Sequence, residues 1–374
     1  MRKTAAVFLL AAGLALAAMP ALAPAAETIK IAAIYALTGK AAVGNIHALT
    51  GVKVAVEEIN GHGGLLGRKI ELLVLDNRST PEGSAAAAKR AEAAGAVAIV
   101  GPAWSSHTFA AGKVAQAAGL PLVSSTATHP DVTKIGDFIF RTCFVDSFQG
   151  KVLARFIRED LRGDSVVVLV DPKDEYSTGL AKEFVDQFTK IRGVIMARLE
   201  YSPDKKSFAD LIAQVAQYDP QFLFIPGHLE SASIIVEAQR IGLRAIPVGG
   251  DGWDAKKFFE GEGAKIKRGY YCTHWSDSVP NFVSAGFLDR YHDDPVLNAH
   301  MALGYDTVFL VAEAIKRAGE PDRKKIRDAL AETKNFLGVT GTITFDKNGD
   351  PIKGAVIMKI KNGRPFFEKA VGPG

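Results

Sequence analysis

Apolar residues along this chain follow two alternating patterns. Short and almost wholly apolar runs, such as Thr28 to Tyr35, predict buried β-strands. Between these runs, apolar residues return every three or four positions. In Leu49 to Asn60, for example, Val52, Val56 and Ile59 share one face of a predicted helix. Strands that alternate with helices predict parallel sheets covered by helices on both faces.

This order of strands and helices occurs twice. The stretches from Ile99 to Ser124 and from Phe224 to Gly250 both contain an apolar strand, a glycine, polar residues, a helix, Gly-Leu and a strand with a proline. The sequence therefore predicts an α/β protein with two similar lobes, each a parallel β-sheet flanked by helices. We expect residues 27–145 and 274–354 to form the first lobe, and residues 146–273 and 355–374 to form the second.

The first 26 residues differ in composition from the rest of the chain. Arg2 and Lys3 precede an apolar run from Thr4 to Met19, and small residues follow from Ala21 to Ala26. This order is typical of a secretory signal peptide, and the run is shorter than the ~20 residues that span a bilayer. We expect residues 1–26 to be cleaved and the mature protein to lie in the periplasm. An uncleaved membrane anchor is the alternative.

Composition and charge exclude several classes of protein. The chain has 45 Lys and Arg against 41 Asp and Glu, so it lacks the basic excess of a nucleic-acid-binding protein. Its two cysteines, Cys143 and Cys272, are too few for a disulfide-rich scaffold, and they either pair or remain buried thiols. Phosphate-binding loops, nucleophile elbows and paired metal-binding histidines are absent from the sequence. We therefore expect no enzymatic activity, no cofactor and no metal. A secreted enzyme remains an alternative because carboxylates are plentiful.

Polar side chains collect where the predicted strands of the first lobe end. Ligands of open parallel sheets bind beyond the carboxyl ends of the strands. Trp104, Ser105 and Ser106 lie at the start of a predicted helix, where free N–H groups and the helix dipole favour a carboxylate. Thr126 and Thr128 add hydroxyl groups after the next strand. A simple helix cap and a turn are the alternative interpretations.

The predicted strand ends of the second lobe carry a different chemistry. Asp251 lies between two glycines, where it would approach an ammonium group closely or form a turn. Tyr176 would close over a ligand or only cover the lobe, and His228 follows Gly227 at another strand end. Together the two lobes predict a carboxylate site facing an ammonium site.

Several short motifs, in this order and spacing, resemble the type I periplasmic solute-binding proteins of ABC transporters, in particular the leucine/isoleucine/valine-binding proteins. The motifs are Ile29-Lys30-Ile31, Leu37-Thr38-Gly39, Glu58-Ile59-Asn60, Gly63-Gly64-Leu65-Leu66-Gly67, Val100-Gly101, Ala127-Thr128-His129-Pro130, Arg141-Thr142, Asp146-Ser147 and Tyr176-Ser177-Thr178-Gly179. The resemblance covers nearly the whole mature chain. It implies a multi-strand hinge between the lobes, a small amino-acid ligand and a membrane permease as partner. We expect the protein to be a monomer.

The resemblance also implies roles for individual residues. Ser105, Thr126 and Thr128 fall where the family holds the α-carboxylate and α-ammonium groups of its ligand. Asp251 falls at the acidic partner of the ammonium, and Tyr176 at an aromatic residue of the second lobe.

Two residues depart from the pattern of the leucine-binding proteins. His228 replaces a tyrosine, and Trp104 replaces a small cysteine. Both change the pocket for the ligand side chain, since Trp104 would either stack on an aromatic ligand or fill the pocket around a small one. The alternative functions are therefore the binding of an aromatic or other small carboxylate, and ligand sensing in the periplasm.

Overall fold

A computed structural model describes residues 27–373 of the chain. The predicted signal peptide lies outside the described residues. Within residues 27–373, none of the helices combines the length and the apolar character needed to cross a membrane.

Strands and helices alternate through most of the described chain. The strands are β1 (Ile29–Tyr35), β2 (Ile70–Asp76), β3 (Ala98–Val100), β4 (Leu122–Ser124), β5 (Ile139–Arg141), β6 (Ser165–Val170), β7 (Val194–Glu200), β8 (Phe222–Ile225), β9 (Ile246–Gly249), β10 (Arg268–Thr273), β11 (Phe336–Gly338), β12 (Gly341–Ile343), β13 (Ala355–Lys361) and β14 (Arg364–Val371). The α-helices are α1 (Ala42–Gly61), α2 (Pro81–Ala93), α3 (Ser105–Ala117), α4 (Asp146–Arg155), α5 (Glu175–Lys190), α6 (Ala209–Ala216), α7 (Glu230–Arg240), α8 (Phe282–Tyr291), α9 (Ala299–Ala318) and α10 (Arg323–Ala331).

The first lobe is built on a five-stranded sheet in the order β2-β1-β3-β4-β5, in which every neighbouring pair is parallel. Residues of β1 point alternately to its two faces, and both faces are buried. Ile31 and Ala33 belong to the core under α1 and α9, whereas Ala32 and Ile34 belong to the core on the opposite face. An almost continuous apolar strand is expected where helices cover both sides of a parallel sheet.

The second lobe contains a seven-stranded sheet in the order β14-β13-β10-β9-β8-β6-β7. Strands β6 to β10 are parallel to their neighbours within this group, whereas β13 pairs antiparallel with both β10 and β14. Strands β13 and β14 are the last strands of this sheet along the chain, which returns to the sheet only after β12. The predicted α/β class is confirmed, with this mixed edge as a feature that the sequence pattern did not indicate.

The chain passes between the two sheets three times, after β5, after β10 and before β13. This distribution supports the predicted boundaries of the lobes, which stay a prediction. The cysteines lie near two of the three crossings, Cys143 just after β5 and Cys272 within β10. Both are buried and unbonded, so the interpretation as free thiols is the one that agrees with the structure.

Candidate functional site

A cavity of about 410 Å³ lies between the lobes, and residues from both lobes line it. Seven of the eight residues singled out from the sequence are in its lining: Trp104, Ser105, Ser106, Thr126, Tyr176, His228 and Asp251. Thr128 is not, because its side chain is fully buried behind the wall. Ser105 and Asp251 therefore face one shared cavity. The roles of all eight residues in ligand binding stay a prediction.

The first-lobe wall contains the N-terminus of α3. Trp104 is the N-cap residue and provides no side-chain cap, so the N–H groups of the first helical turn remain available to a ligand. The two serines do not cap the helix, because they occupy its first two positions. The Ser105 hydroxyl accepts a hydrogen bond from the His129 N–H at 3.3 Å, and the Thr126 hydroxyl donates to the Ala103 carbonyl at 3.0 Å. Helix dipole and free donors together favour an anion here.

The second-lobe wall contains Asp251, in the turn that follows β9. Its Oδ1 accepts a hydrogen bond from Gln149 Nε2 at 3.0 Å, and its Oδ2 lies 3.1 Å from His274 Nε2. Burial acts to raise the pKa of Asp251, but the hydrogen bonds from His274 and Gln149 contribute to a net lowering. Asp251 is thus ionised although it is buried.

A second buried carboxyl group shares Gln149 with Asp251. The same amide nitrogen donates to Asp146 Oδ1 at 3.0 Å. Burial and the neighbouring Asp251 charge raise the pKa of Asp146 well above its usual range. Asp146 therefore holds its proton, and of this pair only Asp251 presents a negative charge.

Tyr176 is held in the first turn of α5 and supports the Asp251 loop. Its hydroxyl accepts a hydrogen bond from the Gly252 N–H at 3.1 Å. Burial, and then the carboxylate of Asp251, raise the pKa of Tyr176 well above its usual range. The phenol therefore keeps its proton and has a donor to offer to its surroundings.

The two departures from the family pattern contact each other across the cavity. The Trp104 and His228 rings are stacked, with centroids 4.3 Å apart and planes at 8°. His228 Nε2 lies 3.1 Å from Asp174 Oδ2, and Asp174 is also the N-cap of α5. Burial alone would lower the pKa of His228, but the hydrogen bond and charge of Asp174 raise it. The contact is thus an imidazole, favoured in its charged form, on an indole face.

The sequence analysis did not single out several other lining residues, among them Asp174, His107 and His300. Asp174 is the N-cap residue of α5, a place where aspartate is common. His107 and His300 carried no signal, because each is one of several scattered histidines in helical sequence. Burial lowers the pKa of His107 to about 4 and of His300 to about 3, so both imidazoles are neutral. His107 Nδ1 accepts a hydrogen bond from Asn77 Nδ2, whereas His300 Nε2 has no partner within residues 27–373.

A family model described as "periplasmic binding protein" matches residues 28–365 of the chain, which is most of its length. The chain belongs to the periplasmic binding protein family. The relatives of this binding protein include a leucine-, isoleucine-, valine-, threonine- and alanine-binding protein from Pseudomonas aeruginosa. It is 29% identical over 344 residues, which are 91% of each chain.

Solved structures agree with this membership. A leucine binding protein from Thermotoga maritima is 33% identical, with a TM-score of 0.87 over 92% of this chain and 99% of its own. A branched-chain amino acid transporter substrate binding protein from Streptococcus pneumoniae, solved with isoleucine, is also 33% identical, with a TM-score of 0.86 over the same shares. The resemblance found in the sequence is confirmed, and the family and these neighbours are solute-binding proteins.

Proposed function

We propose that this binding protein captures an α-amino acid between its lobes and delivers it to the permease of an ABC importer. The observation that carries the proposal is the buried, ionised Asp251 in the wall of the same cavity as the N-terminus of α3. An amino acid would place its carboxylate at Ser105 and its ammonium at Asp251, satisfying both sites with charge-assisted hydrogen bonds. A simple anion would bring a second negative charge towards Asp251 with no ammonium group to offset it, which is costly in a buried place.

Two relatives support this ligand class. The Pseudomonas protein is named for the amino acids that it binds, and the Streptococcus structure contains isoleucine. The cavity wall of this protein is rich in rings that carry nitrogen, namely Trp104, His107, His228 and His300. These rings occupy space and offer hydrogen-bonding groups. We therefore expect small or polar amino acids to bind at least as tightly as leucine or isoleucine.

The proposal that the ligand is instead an aromatic carboxylate has less support. An aromatic ligand would stack on Trp104, but that ring already contacts two imidazoles. His228 lies 4.3 Å and His107 5.4 Å from it, both nearly parallel. The ligand would have to displace one of these contacts.

The test is calorimetric titration of the mature protein with a panel of amino acids and with benzoate, repeated on Asp251→Asn. We expect an amino acid to bind and the substitution to weaken it about 30-fold or more, because truncating one partner of a buried charge pair costs about 2–5 kcal/mol. Asp293→Asn is the control, since its side chain is 94% exposed. Unchanged affinity in Asp251→Asn, or tighter binding of benzoate than of every amino acid, would exclude the proposal.

Export of the protein to the periplasm is part of the same proposal. The signal peptide predicted in residues 1–26 would be removed on the way. Mass spectrometry of the exported protein should find a chain that begins after Ala23, Ala25 or Ala26. Exported protein that retains residues 1–23 would contradict this part.

A further inference from the structure

Three side chains that bear metal-ligating atoms meet at the cavity, one from the second lobe and two from residues 274–354 of the first. One such atom from each of Asp251, His274 and His300 lies within 4.8 Å of the other two. The three residues come from distant segments: the turn after β9, the end of β10 and the first turn of α9. The fold alone brings them together, which is why no spacing in the sequence indicates the cluster.

One imidazole nitrogen of the cluster, Nε2 of His300, is buried and has no hydrogen-bond partner within residues 27–373. A buried polar atom without a partner costs about 1–3 kcal/mol. Such atoms are few in folded proteins, and a bound ion or small molecule can supply the partner that the protein does not.

We propose that Asp251, His274 and His300 form a binding site for a divalent transition metal ion, best matched by Zn²⁺, with the fourth coordination position open to the cavity. Two imidazoles and one carboxylate are a ligand set that zinc accepts in tetrahedral geometry. With bonds of about 2.0–2.1 Å, two ligand atoms of a tetrahedral ion lie about 3.3 Å apart. The distance of 3.1 Å between Asp251 Oδ2 and His274 Nε2 is close to that value.

The surroundings already orient the proposed ligands. Gln149 donates to Oδ1 of Asp251, and the ion would take the place of the proton between Asp251 Oδ2 and His274 Nε2. A hydrogen bond to the second oxygen of a ligating carboxylate is a common way of fixing its direction. His300 lines the cavity, so an ion that it holds would be within reach of the cavity.

The ion would use the same carboxylate that is proposed to receive the ammonium of the amino acid. Metal and amino acid would therefore compete, and saturating Zn²⁺ would lower the apparent affinity for the amino acid. The metal site itself does not rest on the proposed function, because it can be tested without any amino acid.

The experiment uses the untagged mature protein, freed of metal by chelation. Zn²⁺ is titrated against a chromogenic chelator, Co²⁺ is used to record the visible absorption of the bound ion, and Mg²⁺ serves as a hard-cation comparison. We expect one Zn²⁺ per chain, a tetrahedral Co²⁺ spectrum and no competition by Mg²⁺. His300→Gln and Asp251→Asn should each lower Zn²⁺ affinity at least tenfold.

His292→Gln is the matched control, because His292 is 63% exposed and lies beside Asp293. Circular dichroism and thermal melting of each variant establish that it is folded. The proposal is overturned if the wild-type chain binds no Zn²⁺, if folded His300→Gln and Asp251→Asn bind it as the wild type does, or if His292→Gln loses as much affinity as they do.

Discussion

His228 shows how one residue can link local electrostatics to the contact between lobes. Asp174 pairs with its imidazole, and Trp104 of the other lobe stacks on its ring. Burial opposes the charge on both members of the Asp174–His228 pair, yet their mutual attraction raises the pKa of His228 and lowers that of Asp174. Since both partners are ionised together, the pair stabilises the fold only within a limited pH range.

The direction of this pH dependence follows from the two pKa shifts. A histidine with a raised folded-state pKa contributes stability in full below its unfolded pKa of about 6.5, and loses it as pH rises through the folded pKa. Asp174, with a lowered pKa, contributes above its unfolded pKa of about 3.9. We therefore expect Asp174→Asn to lower the melting temperature more at pH 6 than at pH 9. Thermal unfolding at both pH values measures the difference.

Asparagine is also a good N-cap, so this substitution keeps the cap of α5 and removes only the charge. Asp293→Asn, which alters the exposed pair with His292, serves as the control. A loss of stability in Asp174→Asn that is equal at both pH values, or larger at pH 9, would contradict the assignment.

Among the elements, α1 and α9 pack unusually closely because a glycine on each helix faces the other. A Cβ on Gly51 would lie 1.9 Å from the Met301 carbonyl oxygen, and a Cβ on Gly304 would lie 2.0 Å from the Ala48 carbonyl oxygen. Backbone atoms cannot move aside as a flexible side chain can. The spacing of the two helices, and with it the covering of the first sheet, therefore depends on these glycines.

Gly304→Ala should destabilise the protein by about 1–3 kcal/mol, which is typical of overpacking in a core. Chemical denaturation with a linear extrapolation measures this free energy of unfolding. Gly286→Ala in α8 is the matched control, because a Cβ there meets nothing within 4 Å. Alanine has the higher helix propensity, so the control should be neutral or stabilising by up to about 1 kcal/mol. Equal stability of the two variants would show that α1 and α9 tolerate separation.

In the whole molecule, the stack of Trp104 on His228 forms only when the lobes are close together. Contacts that exist only in the closed form shift the equilibrium towards it. An aromatic pair contributes about 0.5–1.5 kcal/mol. The stack should therefore prolong the residence of a ligand without touching the charges that bind it.

Trp104→Ala should raise the dissociation rate of a bound amino acid about two- to tenfold, as the lost stacking energy implies, with a smaller change in the association rate. Stopped-flow displacement measures both rates. Phe282→Ala is the control, because Phe282 is 89% exposed at the start of α8. An unaltered dissociation rate in Trp104→Ala would mean that the stack contributes nothing to closure.

Sequence patterns predicted buried apolar strands better than the starts of helices. The buried strand β1 was predicted to within one residue, since an apolar run has to be buried. The three-residue strand β5 and the helix α4 were missed. A strand so short has no measurable period, and neighbouring strands decide whether it pairs. Helix α1 begins at Ala42, seven residues before the apolar face that predicted it.

Sequence analysis likewise found some residues of the candidate site and missed others. Residues at strand ends, such as Ser105 and Asp251, were accessible to sequence analysis because parallel strands point their carboxyl ends to one edge. Sequence analysis could not find His300, because this residue reaches the cavity from α9, far along the chain. Thr128 was assigned to the site from its place in the loop, and its side chain is buried outside the cavity lining, so its role in binding stays a prediction.

The amino-acid sequence by itself determined the α/β class, the two lobes and the family of this protein, because hydrophobic periodicity and turn residues act locally. The tertiary structure alone decided which buried groups are ionised and which distant imidazoles lie close together. Ionisation of Asp251 depends on Gln149 and His274, both remote in sequence from it. Such groups interact through space at a few ångströms, and only the folded chain sets those distances.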